Sequence, residues 1–541
     1  MKIPILSDAA KYSRLALDLR SFLHNTITLE QSKQVIPERL RNRERNFLNL
    51  VQKGIFENPK SPYTELLRLA GCEFGDLEKS VNKDGIEATL NKLLSEGVYI
   101  SWEEFKGKKD VVRGGTTFQV HERDFDNPYL PGYYYVKSSG SRSAKTRTML
   151  DLKHRADLSY YFPPSLAVSE ALESPVGMWL PLLPSSAGIS GLLHHWQAGN
   201  PVLRWFSQVN EKEVQASLRD RLAVRYIIYG GRLWGAQLPY PENVGLDQAV
   251  KVAQWMAETK KKYGSCSLSC FISSMVKVCQ AAMENGLDIS GCHFFGGGEP
   301  LTEAKRKQIE STGATVCPRY WITEISLIGC GCLGASAADD VHLFTDSIAL
   351  IQRQRKVFHY DINVNSFLFT GLLTSFPKIT LNVESDDYGV IENVKCGCLF
   401  EQMGLTTHLH DIRSYAKLTG SGMTILGSDF VRILEEVLPR KYGGAPTDYQ
   451  LVEEEDDKGQ TCLSLIISPA VGAVNDSDAI NTVLDELRRN AYGGKLAAGF
   501  WSQVNTLQVK RIQPLSSSGK ITTMHLMKKK GVNVKNLGGT A

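Results

Sequence analysis

The sequence predicts an α/β protein, with a large unit of mixed sheets and helices followed by a small α+β unit. Three observations predict it. From about residue 110, short apolar runs broken by glycine and proline alternate with helical segments, as strands joined by helices do. The chain has 541 residues, more than one domain usually holds. The composition also shifts near 405–425, and a shorter set of strand and helix signals follows.

Residues 8–100 carry scattered charge and few glycines, and read as helical. Ile86, Leu90, Leu93 and Leu94 recur at helical intervals, and Gly97 follows as a stop. The runs YYYVKSSG, AVRYIIYGG, CHFFGGGEP and ISLIGCG read as the strand-like pieces, with Leu246–Lys262 and Phe271–Asn285 as helices between them. Val176–Leu193 is the most apolar patch. Pro181, Pro184, Ser185 and Ser186 interrupt it, so a buried loop and helix are expected. Beyond the shift, DYQLVEEE and CLSLIIS flank Asp456-Asp457-Lys458-Gly459 and read as a hairpin. The acidic run Glu453–Asp457 reads as its solvated turn. Ile480, Val483, Leu484 and Leu487 form a helical stripe, and LQVKRI is a last strand. The expected boundaries are a helical extension over 1–105, a core over 106–411 and a small domain over 412–541.

With 62 basic and 58 acidic side chains the net charge is +4, so nothing points to nucleic acid. A composition of 42% hydrophobic and 22% charged residues is that of a soluble globular chain. No apolar run reaches the roughly eighteen residues of a membrane span. MKIPILSDAAKYSRL has no apolar core of a signal peptide, so a cytoplasmic protein is expected. Its eleven cysteines are then reduced thiols or metal ligands rather than a disulfide scaffold.

Two motifs carry most of the chemistry. Gly296-Gly297-Gly298-Glu299-Pro300 can turn the backbone tightly against a flat ligand. Some twenty residues on, Tyr320-Trp321-Ile322-Thr323-Glu324 places an aromatic ring, a hydroxyl and a carboxylate close together. A nucleotide site that makes an acyl adenylate needs such parts: a face for adenine, a hydroxyl for a phosphate oxygen and a carboxylate for Mg²⁺. Ser138-Ser139-Gly140-Ser141-Arg142-Ser143-Ala144-Lys145-Thr146 offers hydroxyls, amides and cations to a triphosphate, or is a surface turn. It lacks Walker spacing. Asp387 in ESDDYG can accept both ribose hydroxyls, or forms an Asp-x-Gly turn. Lys520 in SSSGKIT can reach into a cleft and offset developing charge, or is solvated. No G-x-S-x-G elbow appears, which argues against a hydrolase.

In this order, SSGSRSAKT, GGGEPLTEAKRKQIE, YWITE, DDYG, AKLTGSGM and SSSGKI resemble the adenylate-forming superfamily of acyl-CoA synthetases and ligases. The GGGEPLTEAKRKQIE segment and the cysteine pairs are most similar to the phenylacetate–CoA ligase branch, and the acyl-protein synthetases of bacterial luminescence are a more distant resemblance. The matches run from about 134 to 526.

The resemblance implies an ATP- and acyl-binding core and a small mobile C-terminal domain. It implies that Ser138, Ser139, Gly140, Ser141 and Lys145 hold phosphate. Gly297, Gly298, Glu299 and Pro300 would flank adenine, with Tyr320 stacked on it and Trp321 beside it. Thr323 would bind the α-phosphate, Glu324 Mg²⁺ and Asp387 ribose, and Lys520 would be the adenylation lysine. The hinge would fall around His410–Lys417, at Asp411 or Arg413. Departures are plain: Ser141-Arg142-Ser143-Ala144 replaces the usual threonines, glycine and lysine–proline pair, and Trp321 replaces a usual glycine.

Cys330-Gly-Cys332 and Cys396-Gly-Cys398 could together hold a structural Zn²⁺, or be buried thiols. The resemblance implies His342 as a fallback ligand. Cys266 and Cys270 read as packing residues. His194, His195 and Trp196, with Phe294, Phe295 and Trp321, suggest a wall for an aromatic or medium-sized apolar acid. The histidines could equally be a buried polar pair.

The function expected is ATP-dependent activation of a carboxylic acid as acyl-AMP, followed by transfer to CoA, a carrier-protein thiol or a nitrogen nucleophile. The rival is a non-catalytic nucleotide-binding relative. Oligomeric state stays open.

Overall fold

The computed structural model describes residues 18–130, 134–137, 147–183, 185–209, 217–356, 363–414, 419–420, 423–424, 427–455, 461–489, 507–516 and 519–526. It divides into two compact units. The larger is Met1–Val357 with Asp361–Tyr415 and Ser517–Lys520; the smaller is Phe358–Tyr360 with Ala416–Ser516 and Ile521–Ala541.

Among the described residues, the larger unit is built on a twelve-stranded sheet. From one edge its order is Ile348–Lys356, Asn363–Gly371, Val383–Asn393, Thr407–Ser414, Val341–Leu343, Ser326–Cys330, Thr315–Ile322, His293–Gly297, Ser267–Cys270, Val176–Trp179, Val202–Ser207 and Glu242–Asn243. From Thr315–Ile322 to Glu242–Asn243 every pairing is parallel. Parallel neighbours need crossover connections, and helices Ala187–Gln197, Leu218–Arg225, Ala249–Tyr263, Ile272–Glu284 and Glu303–Glu310 lie in them. On the other side of Thr315–Ile322 every pairing is antiparallel. The YWITE motif therefore sits where the sheet changes character.

The N-terminal helices share the core of the antiparallel half. Leu29–Arg41 begins with a capping box in which Thr28 Oγ1 accepts from Gln31 N. Phe47, Leu66, Ile86, Leu90 and Leu93 pack with Phe367, Phe369 and Leu381. Helix Ile86–Ser95 is thus amphipathic toward this sheet, and Gly97, at φ +86°, follows its end.

Three local expectations are corrected. AVRYIIYGG is helical, within Leu218–Arg225, Tyr226–Gly230 and Gly231–Leu233. Ala223, Val224, Ile227 and Ile228 are buried at helical spacing, and a Ser217–Asp220 capping box starts the helix. A short apolar run alone does not separate strand from helix. Val176–Trp179 is a strand rather than loop. Buried on both faces between parallel neighbours, it shows no alternation to read. Asp387 lies inside the strand Val383–Asn393 rather than in an Asp-x-Gly turn.

In the smaller unit, Tyr449–Glu455 pairs antiparallel with Thr461–Ile467, and these pair parallel with Met524–Leu526 and Leu507–Lys510 respectively. Helix Asp476–Arg489 buries Ala479, Val483, Leu484 and Leu487 against Leu451, Leu463 and Leu465.

Candidate active site and metal centre

Strand Thr315–Ile322 directs successive side chains to opposite faces. Tyr320 and Ile322 pack on the core that holds Phe367 and Phe369, whereas Cys317 and Trp321 join Phe162 and Phe295. Its neighbour His293–Gly297 runs in register, Pro318 opposite Gly296 and Arg319 opposite Gly297. The glycine turn therefore leaves the sheet beside Tyr320. A Cβ on Gly297 would collide with the Arg319 carbonyl, so strand pairing itself demands glycine there. Gly298 has φ +78° and a Cβ on it would press on the Lys520 side chain.

Lys520 groups with the larger unit. Its Nζ donates to Gly298 O at 3.3 Å and lies 4.5 Å from the centre of the Phe271 ring. Glu299 holds the turn from below: its carboxylate accepts from Ser273 N and Ser273 Oγ, both at 2.9 Å, at the start of helix Ile272–Glu284. Burial raises the Glu299 pKa, and Lys305 and Lys520 partly offset this. Pro300 ends the turn before helix Glu303–Glu310.

The Tyr320 hydroxyl donates to Asp387 Oδ2 at 2.8 Å, and its ring meets Phe369 at 6.3 Å. Burial and the Asp387 charge push the Tyr320 pKa well up. Two residues that the resemblance implies for adenine and ribose are thus adjacent. Thr323 is half-buried and Glu324 buried in the turn after Ile322. Glu324 Oε1 lies 3.9 Å from Lys106 Nζ. Lys106 follows the short helix Trp102–Phe105 and rests over the Trp102 ring at 4.5 Å. Desolvation lowers its pKa, and Glu324 and Asp386 oppose that. No motif marked Lys106. In the strand Thr407–Ser414, Asp411 has φ +51°. The Asp339 carboxylate accepts from Asp411 N and Ile412 N at 2.9 Å and from Arg413 Nη1 at 2.8 Å, which holds this uncommon backbone in place.

The opposite face is basic. Arg319 lies over the Phe162 and Phe295 rings at 4.5 and 5.0 Å and donates to Ser165 Oγ at 3.3 Å. Arg155, on helix Leu152–Ser159, lies 5.7 Å from the Trp321 ring centre. Its Nη1 is 3.4 Å from His194 Nε2, while Ser159 Oγ accepts from His194 Nδ1 at 2.9 Å. Burial, then the Arg155 charge, drives the His194 pKa well down; burial and Arg319 take His195 to about 3. Both histidines are thus neutral. The expected wall is incomplete: Trp196 turns away and donates from Nε1 to Leu23 O at 2.8 Å, on a separate core.

The cysteine expectation is corrected in one ligand. Cys330 faces Ser165, 3.3 Å away, and sits beside Cys317 and Arg319. Cys332, His342, Cys396 and Cys398 form the cluster instead, with all ligand atoms within 4.8 Å of one another. His342 Nε2 lies 3.4, 3.6 and 3.2 Å from the thiols of Cys332, Cys396 and Cys398. Its Nδ1 donates to Leu405 O at 2.7 Å, which leaves the Nε2 lone pair for a metal. Gly397, at φ +74°, allows both thiols of the second pair to converge. A hydrogen bond from Cys332, then His342, holds the Cys398 thiol far below its ordinary range. Three sulfurs and one imidazole fit a closed tetrahedral zinc shell.

Ser138, Ser139, Gly140, Ser141 and Lys145 lie outside the described residues.

No family model matches the sequence, and no curated protein matches it. Solved structures do. The 2-hydroxyisobutyryl-CoA ligase in the postadenylation state, in complex with R3-HIB-AMP, matches with a TM-score of 0.54 at 14% identity, covering 94% of this chain and 91% of that one. The same ligase in complex with 2-HIB-AMP matches with a TM-score of 0.54 at 13% identity, over the same shares of both chains. The chain shares the mixed α/β fold of that ligase over most of its length.

Proposed function

We propose that the protein is an ATP-dependent ligase. It activates a carboxylic acid as acyl-AMP and passes the acyl group to an acceptor, coenzyme A first. The observation that carries this reading is the convergence of distant motifs. Lys520 meets Gly298 across 222 residues of sequence, and Tyr320 meets Asp387. A shared fold alone does not require these contacts.

In the reaction a carboxylate oxygen attacks the α-phosphorus of ATP. The bond to the bridging oxygen breaks and pyrophosphate leaves. Thr323 binds the α-phosphate, and the Lys520 ammonium offsets the negative charge that develops there. Asp387 accepts the ribose hydroxyls, and Tyr320 presents its ring to adenine. Glu324 would hold Mg²⁺, which supplies charge neutralisation at the phosphates; the Lys106 contact must open or be shared when it does. Cys332, His342, Cys396 and Cys398 would hold a structural Zn²⁺ outside this chemistry. The hinge implied at Asp411 or Arg413 would let the small domain present a second face to the acceptor.

Exchange of labelled pyrophosphate into ATP, dependent on an added acid, tests the reading. Failure of ATP to bind at millimolar concentration in calorimetry would overturn it. Acyl-AMP formed by the protein, then offered CoA, a carrier-protein thiol or an amine, identifies the acceptor.

A further inference from the structure

We propose that the acid activated here carries a second negatively charged group, which Arg155 binds. This rests on the ligase reading and names its substrate class.

Arg155 is 6% exposed and enters no ion pair among the described residues. Its Nε has no protein partner, nor does the Nε of Arg319, nor the Nδ1 of His195 nearby. Buried polar groups in folded proteins are nearly always hydrogen-bonded, so the open Nε–H of the buried Arg155 marks a place for an acceptor. The stacked rings of Phe162 and His194 separate its guanidinium from that of Arg319. Phe162 stacks on His194 at 4.7 Å, with Arg319 over Phe162 and Arg155 against His194 and Trp321. Two acidic groups stand close. Asp151 caps the Arg155 helix by accepting from His154 N at 3.0 Å through Oδ1, and its Oδ2 is unpartnered. The Cys330 thiol lies beside Arg319. Neither bridges the two guanidiniums.

The carboxylate that reacts does not account for Arg155. It must lie at the α-phosphate, where Lys520 and Thr323 serve it. Arg319 and Trp321 leave the strand on the face opposite Tyr320, so they meet the far end of an acid whose carboxylate lies at Thr323. A flat or short-chained dicarboxylic acid fits: rings beside Trp321 and Phe162, its second carboxylate on the forked donors of an arginine. The apolar acid that the aromatic residues alone suggest would leave the Arg155 Nε–H without an acceptor.

The test uses the full-length protein, with two pairs of probes of equal skeleton: glutarate against pentanoate, and terephthalate against benzoate. At millimolar concentration, at least one dianion should raise the melting temperature above the level reached with its monoanion. Arg155→Met should abolish that difference. Without any acid, Arg155→Met should melt at the parental temperature or higher, because a buried, unpaired charge is replaced by an apolar chain of similar volume. A variant that melts lower or fails to fold would make Arg155 structural and overturn the proposal. So would equal shifts, or none, from the dianions and monoanions. ATP binding by calorimetry is unaffected by these outcomes, so failure here is distinct from failure of the ligase reading.

Discussion

The two faces of the strand Thr315–Ile322 differ in how far they are complete. On one face Tyr320 already donates to Asp387 and packs on Phe369. On the other, Arg319 and its neighbour Arg155 keep open donors among aromatic rings. The difference teaches where specificity is built. A site for a constant ligand such as ATP can be preorganised by groups that satisfy one another. A site for a particular acid stays incomplete until the acid supplies the missing acceptor.

The largest effect expected concerns a group that lies on neither face. Cys332→Ser removes one of four converging donors, so bound zinc should fall from about one per chain toward none. Cys330→Ser should leave the metal in place, since Cys330 belongs with Arg319. Metal analysis of chelator-free protein checks both. Equal loss from the two variants would return Cys330 to the ligand set.

Lys520→Ala comes next. It should lower acid-dependent pyrophosphate exchange by about a hundred- to thousandfold, the usual cost of one preorganised charge-stabilising donor. Transfer from chemically supplied acyl-AMP should persist. Parental exchange would mean that the contact with Gly298 has no chemical role.

Asp387→Ala follows. It removes a charged acceptor, and such hydrogen bonds contribute about 1.5–3 kcal/mol each. The KM for ATP should therefore rise roughly ten- to hundredfold, with kcat much less affected. An unchanged KM would remove ribose from the assignment of this face.

Much of this was legible because the motifs are local. GGGEP and YWITE each place several groups within one turn or strand end, and strand register then brings them together. Longer-range geometry was not legible. Lys106 comes from a helical segment outside the resemblance and reaches Glu324 only through packing. Arg155 and Arg319 are single charges in ordinary surroundings; only burial makes them notable. His342 was within reach as a fallback ligand. Choosing it over Cys330 required knowing that Cys330 ends a strand facing Ser165 while Cys332 lies in the loop beyond. AVRYIIYGG was misread because its helix continues through a region where the apolar run alone looks like a strand.

The smallest effect sharpens the comparison most. Tyr320→Phe keeps the ring and removes only the hydroxyl that meets Asp387 at 2.8 Å. Asp387 is half-buried, so water can replace the lost donor. The stability loss should be about 1 kcal/mol, that of a typical single hydrogen bond. The KM for ATP should rise only a few-fold, because stacking uses the ring. Tyr320→Ala should cost more, since the adenine face goes as well. If Tyr320→Phe weakens ATP as much as Asp387→Ala, the hydroxyl is a binding group in its own right. The face of the strand that looks complete would then also be waiting for its ligand.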